Sequence, residues 1–168
     1  MNRLTLLTLS LIALLSSRAA LANKCPQDAF LEVVAKGSAK DQPGKSFKFT
    51  EAAFMALANA TISTSTAWTP KSSFTGPELG VVLKAAGVLP AKTGSAHMFA
   101  IDDYEFDIPL DHIPKYKPIL AHTQNGKRLD IPTRGPIFLI YPRDDFPEMK
   151  TMQGQAGYVW MVCKIEIR

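Results

Sequence analysis

Residues 61–79 read Thr61-Ile62-Ser63-Thr64-Ser65-Thr66-Ala67-Trp68-Thr69-Pro70-Lys71-Ser72-Ser73-Phe74-Thr75-Gly76-Pro77-Glu78-Leu79. The first eight alternate and are rich in β-branched residues, which predicts a strand from Thr61 to Trp68. A strand buried on both faces does not carry so many hydroxyls without partners. Two readings follow: a half-exposed edge strand in which Thr is simply a good β-former, or a pocket wall of hydroxyls with Trp68 as a stacking plate. The second half predicts a helix start. Thr75 to Glu78 has capping-box spacing, and Phe74 and Leu79 are placed as a hydrophobic staple. Leu79, Val82, Leu83 and Ala86 then share one helical face, and Gly87 stands where a left-handed C-terminal cap is expected.

Upstream of this stretch, Ala29 to Ala35 reads as a short strand, and Lys36 to Gly44 as a polar loop broken by Gly37, Pro43 and Gly44. Thr50 is placed to cap a short helix from Glu51 to Leu57. Downstream, strand-like runs dominate. His97–Ile101 and Tyr104–Ile108 flank the turn Asp102-Asp103, and Ile119–Gln124 and Lys127–Ile131 flank Asn125-Gly126, the strongest short hairpin dipeptide. Pro136–Tyr141 and Tyr158–Ile167 are two further strands, with prolines falling between the runs. The class is therefore α+β, with many short strands, few short helices and no linker to divide it. At ~150 residues per domain, 168 residues make one domain and a short remainder. Collagen-like, coiled-coil and repeat architectures are excluded by the lack of any such period.

The remainder is the first segment. Arg3, the apolar run Leu4 to Leu15 and the small-x-small triplet Ala20-Leu21-Ala22 predict a secretory signal peptide over 1–22, leaving a domain over 23–168. The apolar run is shorter than the ~20 residues of a membrane span, so an exported, periplasmic protein without membrane insertion is expected. Arg3 and Arg18 belong to the leader, so half of the formal +4 charge leaves with it. No polybasic patch then remains to suggest nucleic acid. Export also makes Cys25 and Cys163 informative. In an oxidising compartment the expectation is a bridge between them, the alternative being a buried Cys163 and a loose Cys25.

The common catalytic patterns are missing. His97, His112 and His122 never reach metal-ligand spacing and read as surface or hairpin residues. Asp102-Asp103 and Asp144-Asp145 sit beside turns, where Asp serves the backbone. There is no phosphate-binding loop, nucleophile elbow or dinucleotide fingerprint. Arg134, framed by Pro132 and Gly135-Pro136, is held stiffly at a strand entrance. There it suits clamping a planar heterocycle or an anion.

The order of these pieces carries a resemblance. Phe49-Thr50-Glu51, the run ending in Trp68, Phe74-Thr75-Gly76, Leu83 to Gly87, Asp103-Tyr104, Asn125-Gly126, Arg134-Gly135-Pro136-Ile137, Ile140-Tyr141-Pro142 and Tyr158-Val159-Trp160 occur in sequence. Together, from about Ala29 to Ile167, they resemble small exported proteins with the sulfite-oxidase-type molybdopterin-binding fold. That resemblance implies a cleft in which Trp68 stacks on a pterin, Arg134 and the Ser65 or Thr66 hydroxyl bond its edge, and Asp103 and Tyr104 lie nearby. Catalytic members ligate molybdenum through a cysteine on the strand leading to the Trp68 region, where this chain has only Ser63, Thr64, Ser65 and Thr66. A hydroxyl is a poor substitute for a thiolate. The chain is similar to a cysteine-less branch that binds reduced, tetrahydropterin-type pterins without redox chemistry. The implied partner is the periplasmic domain of an inner-membrane cyclic di-GMP signalling enzyme. The alternative is a molybdopterin-dependent oxidoreductase of the sulfite-oxidase type.

Overall fold

The computed structural model describes residues 24–35, 44–88 and 93–168. The signal peptide expected over Met1–Ala22 and most of the Lys36–Gly44 loop lie outside these residues. The elements run β1 (Leu31–Ala35), β2 (Lys45–Phe49), α1 (Glu51–Met55), β3 (Asn59–Thr64), β4 (Ser72–Pro77), α2 (Leu79–Ala85), β5 (Ser95–Ala100) and β6 (Glu105–Pro109). They continue with α3 (His112–Tyr116), β7 (Ile119–Ala121), β8 (Thr123–Gln124), β9 (Lys127–Arg128), β10 (Phe138–Ile140), α4 (Met152–Ala156) and β11 (Val162–Ile167). Two 3-10 turns, Ile131–Thr133 and Pro147–Lys150, join the later strands. The arrangement is α+β.

Three sheets organise the described residues. The largest has the order β2-β1-β11-β5-β6, with β1 parallel to β11 and every other pair antiparallel. A four-stranded sheet runs β3-β4-β8-β9, and β10 pairs with β7. Between them lies one core in which Leu31, Phe54, Phe74, Leu79, Leu83, Met98 and Phe138 are fully buried. Burying one such side chain stabilises by ~1.5–3 kcal/mol relative to leaving it exposed. The four-stranded sheet reaches β7 through Gly76, where an added Cβ would lie 2.1 Å from the Leu120 carbonyl oxygen. Only glycine permits that approach.

Both hairpins expected from sequence form. Asn125 and Gly126 take φ of 50° and 75°, the two left-handed positions of a tight turn between β8 and β9. Asp103 takes φ 65° between β5 and β6. The run Ile119–Gln124 divides into β7 and β8, because His122 donates its backbone N–H to Thr75 while its neighbours pair with two different sheets. Strand β9 stops at Arg128, since Asp130 and Thr133 close a capping box on the turn that follows. His97 and His122 are buried rather than surface residues, His97 between Glu105 and Asp107 and His122 between Thr123 and Asn59.

The helix after Pro77 starts three residues later than the sequence suggests. Thr75 lies inside β4, and its hydroxyl pairs with that of Thr61 across the sheet at 3.0 Å. The N-cap of α2 is Glu78, which makes no side-chain cap. Strand pairing over six residues outweighs one local cap. The other end is as expected: Gly87 has φ 74°, and Gly87 and Val88 donate to the Lys84 and Leu83 carbonyls in a Schellman arrangement. Thr50 does cap α1, accepting from the Ala53 N–H at 3.1 Å.

Cys25 and Cys163 form a disulfide, with Cα atoms 5.5 Å apart and a sequence separation of 138. It fastens the start of the described chain to β11, beside an ion pair of Lys24 with Glu105. Closing so long a loop stabilises by roughly 4–5 kcal/mol in the chain-entropy model. Two outcomes are expected. Alkylation without reductant should label no thiol, and reduction should lower the free energy of unfolding by an amount of that order. Thr50→Ala should cost about 1 kcal/mol, whereas Thr75→Ala should cost only the ~0.2–1 kcal/mol of a cross-strand pair; equilibrium denaturation separates them.

Candidate functional site

The run ending in Trp68 leaves the sheet at Thr64 and turns. The Thr66 hydroxyl accepts from the N–H groups of Trp68 and Thr69 at 3.1 and 3.0 Å and pairs with the Thr69 hydroxyl at 2.8 Å. This side-chain mimic of a backbone turn ends the strand and presents Trp68 outward, 44% exposed. Ser65 anchors the other side of the turn. Its hydroxyl donates to Asp144 at 2.6 Å, its N–H donates to the same carboxylate at 2.9 Å, and Arg143 donates to it at 2.9 Å. The Asp144 N–H donates to the Thr64 hydroxyl at 3.1 Å.

Trp68 meets Trp160 edge-to-face, with ring centroids 4.9 Å apart. Trp160 lies just before β11 and bridges to Phe138 of β10. Its indole N–H donates to Asp102 at 2.8 Å, and the Arg134 guanidinium lies 5.6 Å from its ring centroid in a cation–π contact. Arg134 itself closes a 3-10 turn with φ 73°, and its carbonyl accepts from the Met161 N–H. Tyr104, 39% exposed, donates its hydroxyl to the Ala156 carbonyl at 2.9 Å. Burial and the neighbouring Asp102 carboxylate push its phenol above the ordinary tyrosine value.

These groups enclose a cleft of about 280 Å³, lined by Trp68, Asp102, Tyr104, Tyr158 and Trp160 and, from α4, by Met152, Gln155 and Ala156. Of the residues singled out in sequence, Trp68 and Tyr104 line it directly. Arg134 stands behind Trp160, and Ser65 and Thr66 hold the turn that carries Trp68, their hydroxyls bonded within the protein. Asp103 occupies the left-handed turn position, while its neighbour Asp102 lines the cleft. Trp160, Tyr158 and α4 were not singled out. Tyr158-Val159-Trp160 carried part of the resemblance, but nothing local places that tryptophan beside Trp68.

Among solved structures, the crystal structure of the sulfane dehydrogenase SoxCD from Paracoccus pantotrophus matches with a TM-score of 0.56 at 18% sequence identity. The match covers 82% of this chain and 38% of that one. The chain has the sulfite-oxidase-like fold. It spans well under half the length of that neighbour, and no protein-family model or curated protein matches it. The resemblance drawn from the sequence implies a molybdopterin cofactor, and the residues present fit its metal poorly. Both cysteine sulfurs are consumed in the disulfide, and the Ser65 hydroxyl is held by Asp144 and Arg143. Among the described residues, no group of three or more His, Cys, Asp or Glu is placed to hold a metal ion. A thiolate-ligated molybdenum does not fit this site.

The Ser65 hydroxyl and N–H hold Asp144 below the usual carboxylate range. The stability this contributes is present above the unfolded aspartate value of ~3.9 and lost as pH falls through the lowered folded value. Ser65→Ala should return the Asp144 pKa toward that ordinary value and flatten this part of the acid-side stability profile, read by carboxyl-carbon NMR titration and by denaturation between about pH 5 and pH 2.

Proposed function

We propose that the chain is a periplasmic pterin-binding module that reports its occupancy to the periplasmic domain of an inner-membrane cyclic di-GMP signalling enzyme. The observation that carries this reading is the cleft of Trp68, Trp160 and Tyr104 around the Asp102 carboxylate. Aromatic walls suit a flat ring by offset or edge contacts worth ~0.5–1.5 kcal/mol beyond area. Asp102 already accepts from the Trp160 indole and the Tyr104 N–H, and a carboxylate has about four acceptor positions. The amino and ring N–H donors of a pterin match what remains. At about 280 Å³ the cleft lies below the ~300–1,000 Å³ of drug-sized sites, which favours a bare bicyclic pterin over a long phosphorylated conjugate. No Lys or Arg is among the described lining residues to meet a phosphate. The signal peptide expected over residues 1–22 is what supports the export part of this reading. Met152 is 88% exposed at the mouth, beside Trp68 and Tyr104, so a partner docking there would touch both protein and ligand.

The second reading, a molybdopterin-dependent oxidoreductase of the sulfite-oxidase type, is favoured by the fold likeness alone. Titration of a tetrahydropterin under anaerobic conditions, followed by calorimetry, tests the first. Trp68→Ala and Arg134→Ala should each weaken binding by about tenfold or more, the first by removing a wall and the second by freeing Trp160. Both should fold as wild type does. Unchanged affinity in both folded variants would place the ligand elsewhere, and stoichiometric molybdenum in protein isolated from its own periplasm would favour the enzyme.

A further inference from the structure

A second cavity of about 410 Å³ lies between β6, α3, the Pro147–Lys150 turn and α4. Helix α4 separates it from the tryptophan cleft, giving Gln153 and Gly154 to this side and Met152, Gln155 and Ala156 to the other. We propose that this cavity is a second ligand site, taking a compact organic cation such as an aromatic amine or amidine. The apolar body would pack on the aromatic wall and the charged end would meet Glu148.

Size comes first: the volume falls within the range of small-molecule sites, ~300–1,000 Å³. The wall is aromatic. His112 stands perpendicular to Tyr116 and Tyr141, with centroids 4.9 and 6.0 Å away, and Phe106 and Met149 complete it. Ring faces carry negative potential and attract cations. Charge points the same way. Glu148 and Asp107 are the carboxylates lining the cavity, and no Lys or Arg is among its described lining residues. The Glu148 N–H and the Tyr116 hydroxyl hold the Glu148 carboxyl below its usual range, so it is ionised at neutral pH. Burial outweighs Asp111 and Glu148 and holds His112 below the ordinary histidine value, which leaves the ring uncharged there. An anion would face the Glu148 and Asp107 carboxylates, offset only by the Lys115 ammonium, which is itself bonded to Glu148.

Two independent observations point to an occupant. The Lys115 ammonium sits 4.4 Å from the Tyr116 ring centroid and bonds the Tyr116 hydroxyl and Glu148 at 2.5 and 3.3 Å. A cation of the protein therefore already meets, from beside the cavity, the carboxylate assigned to the ligand. Deeper in, Tyr141 is 1% exposed, yet the partner of its hydroxyl is His112 Nδ1 at 3.5 Å, the outer limit of a hydrogen bond. Burial pushes this phenol far up, so it keeps its proton. A buried hydroxyl so weakly satisfied is a ready contact for a polar ligand atom.

The test uses the full chain and three probes of one shape: benzamidine, benzamide and benzoate, titrated by calorimetry and NMR. Benzamidine should bind, benzamide at least about tenfold more weakly, and benzoate not measurably. Glu148→Gln should weaken benzamidine by about tenfold, and Lys115→Met should tighten it severalfold by removing the competing ammonium. Trp68→Ala should leave it unchanged, so failure here is separate from failure of the pterin reading. Equal affinity for benzamidine and benzamide, no benzamidine binding at millimolar concentration, or weaker binding in Lys115→Met would each overturn the proposal. So would loss of binding in Trp68→Ala.

Discussion

Strand β11 lies at the middle of the five-stranded sheet, parallel to β1 on one side and antiparallel to β5 on the other. Its pairing brings residues from opposite ends of the sequence together, and the disulfide between Cys163 and Cys25 fastens the same junction. Two pieces of the tryptophan cleft are placed by that strand. Tyr158 and Trp160 immediately precede it, and the Ile101 N–H donates to the Met161 carbonyl, which sets the Asp102–Tyr104 turn beside them. Without β11 in register, the β5–β6 hairpin would still turn, but its aspartate and tyrosine would face nothing.

The third component of the cleft arrives by a different route. Trp68 lies on the turn between β3 and β4, and the hydroxyls of Thr64, Ser65 and Thr66 link that turn to Asp144 and to itself. Those hydroxyls are spent on holding a large aromatic side chain at the surface. A wall assembled from three rigid pieces is pre-organised, and pre-organisation lowers the ordering cost of binding. Arg134 contributes in the same way, as a cation resting on the far neighbour of Trp68.

The sulfite-oxidase-like fold is a scaffold that does not itself dictate chemistry. In this chain the cysteines serve stability and the described lining of the cleft carries a carboxylate and aromatic rings. That inventory suits recognition of a flat, donor-rich molecule. The larger cavity across α4 offers carboxylates and tyrosines to a cation, so one five-residue helix forms part of two walls with different chemistry.

Patterns that depend on nearest neighbours were legible in the sequence: the α+β class, both hairpin turns, the Gly87 stop and the Thr50 cap. Their physics is local, since φ preference and side-chain alternation act within a few residues. Where local and distant demands competed, the distant one prevailed. Thr75 has the spacing of a helix cap, but pairing with Thr61 keeps it in a strand. Asp102 and Asp103 are indistinguishable in sequence, and only the position of Trp160 decides which one lines the cleft. The sequence by itself therefore determined the elements and the residue types available for recognition. The tertiary structure alone decided which of them face one another, because Trp68 and Trp160 meet through sheet pairing, and no local periodicity encodes contacts across that span.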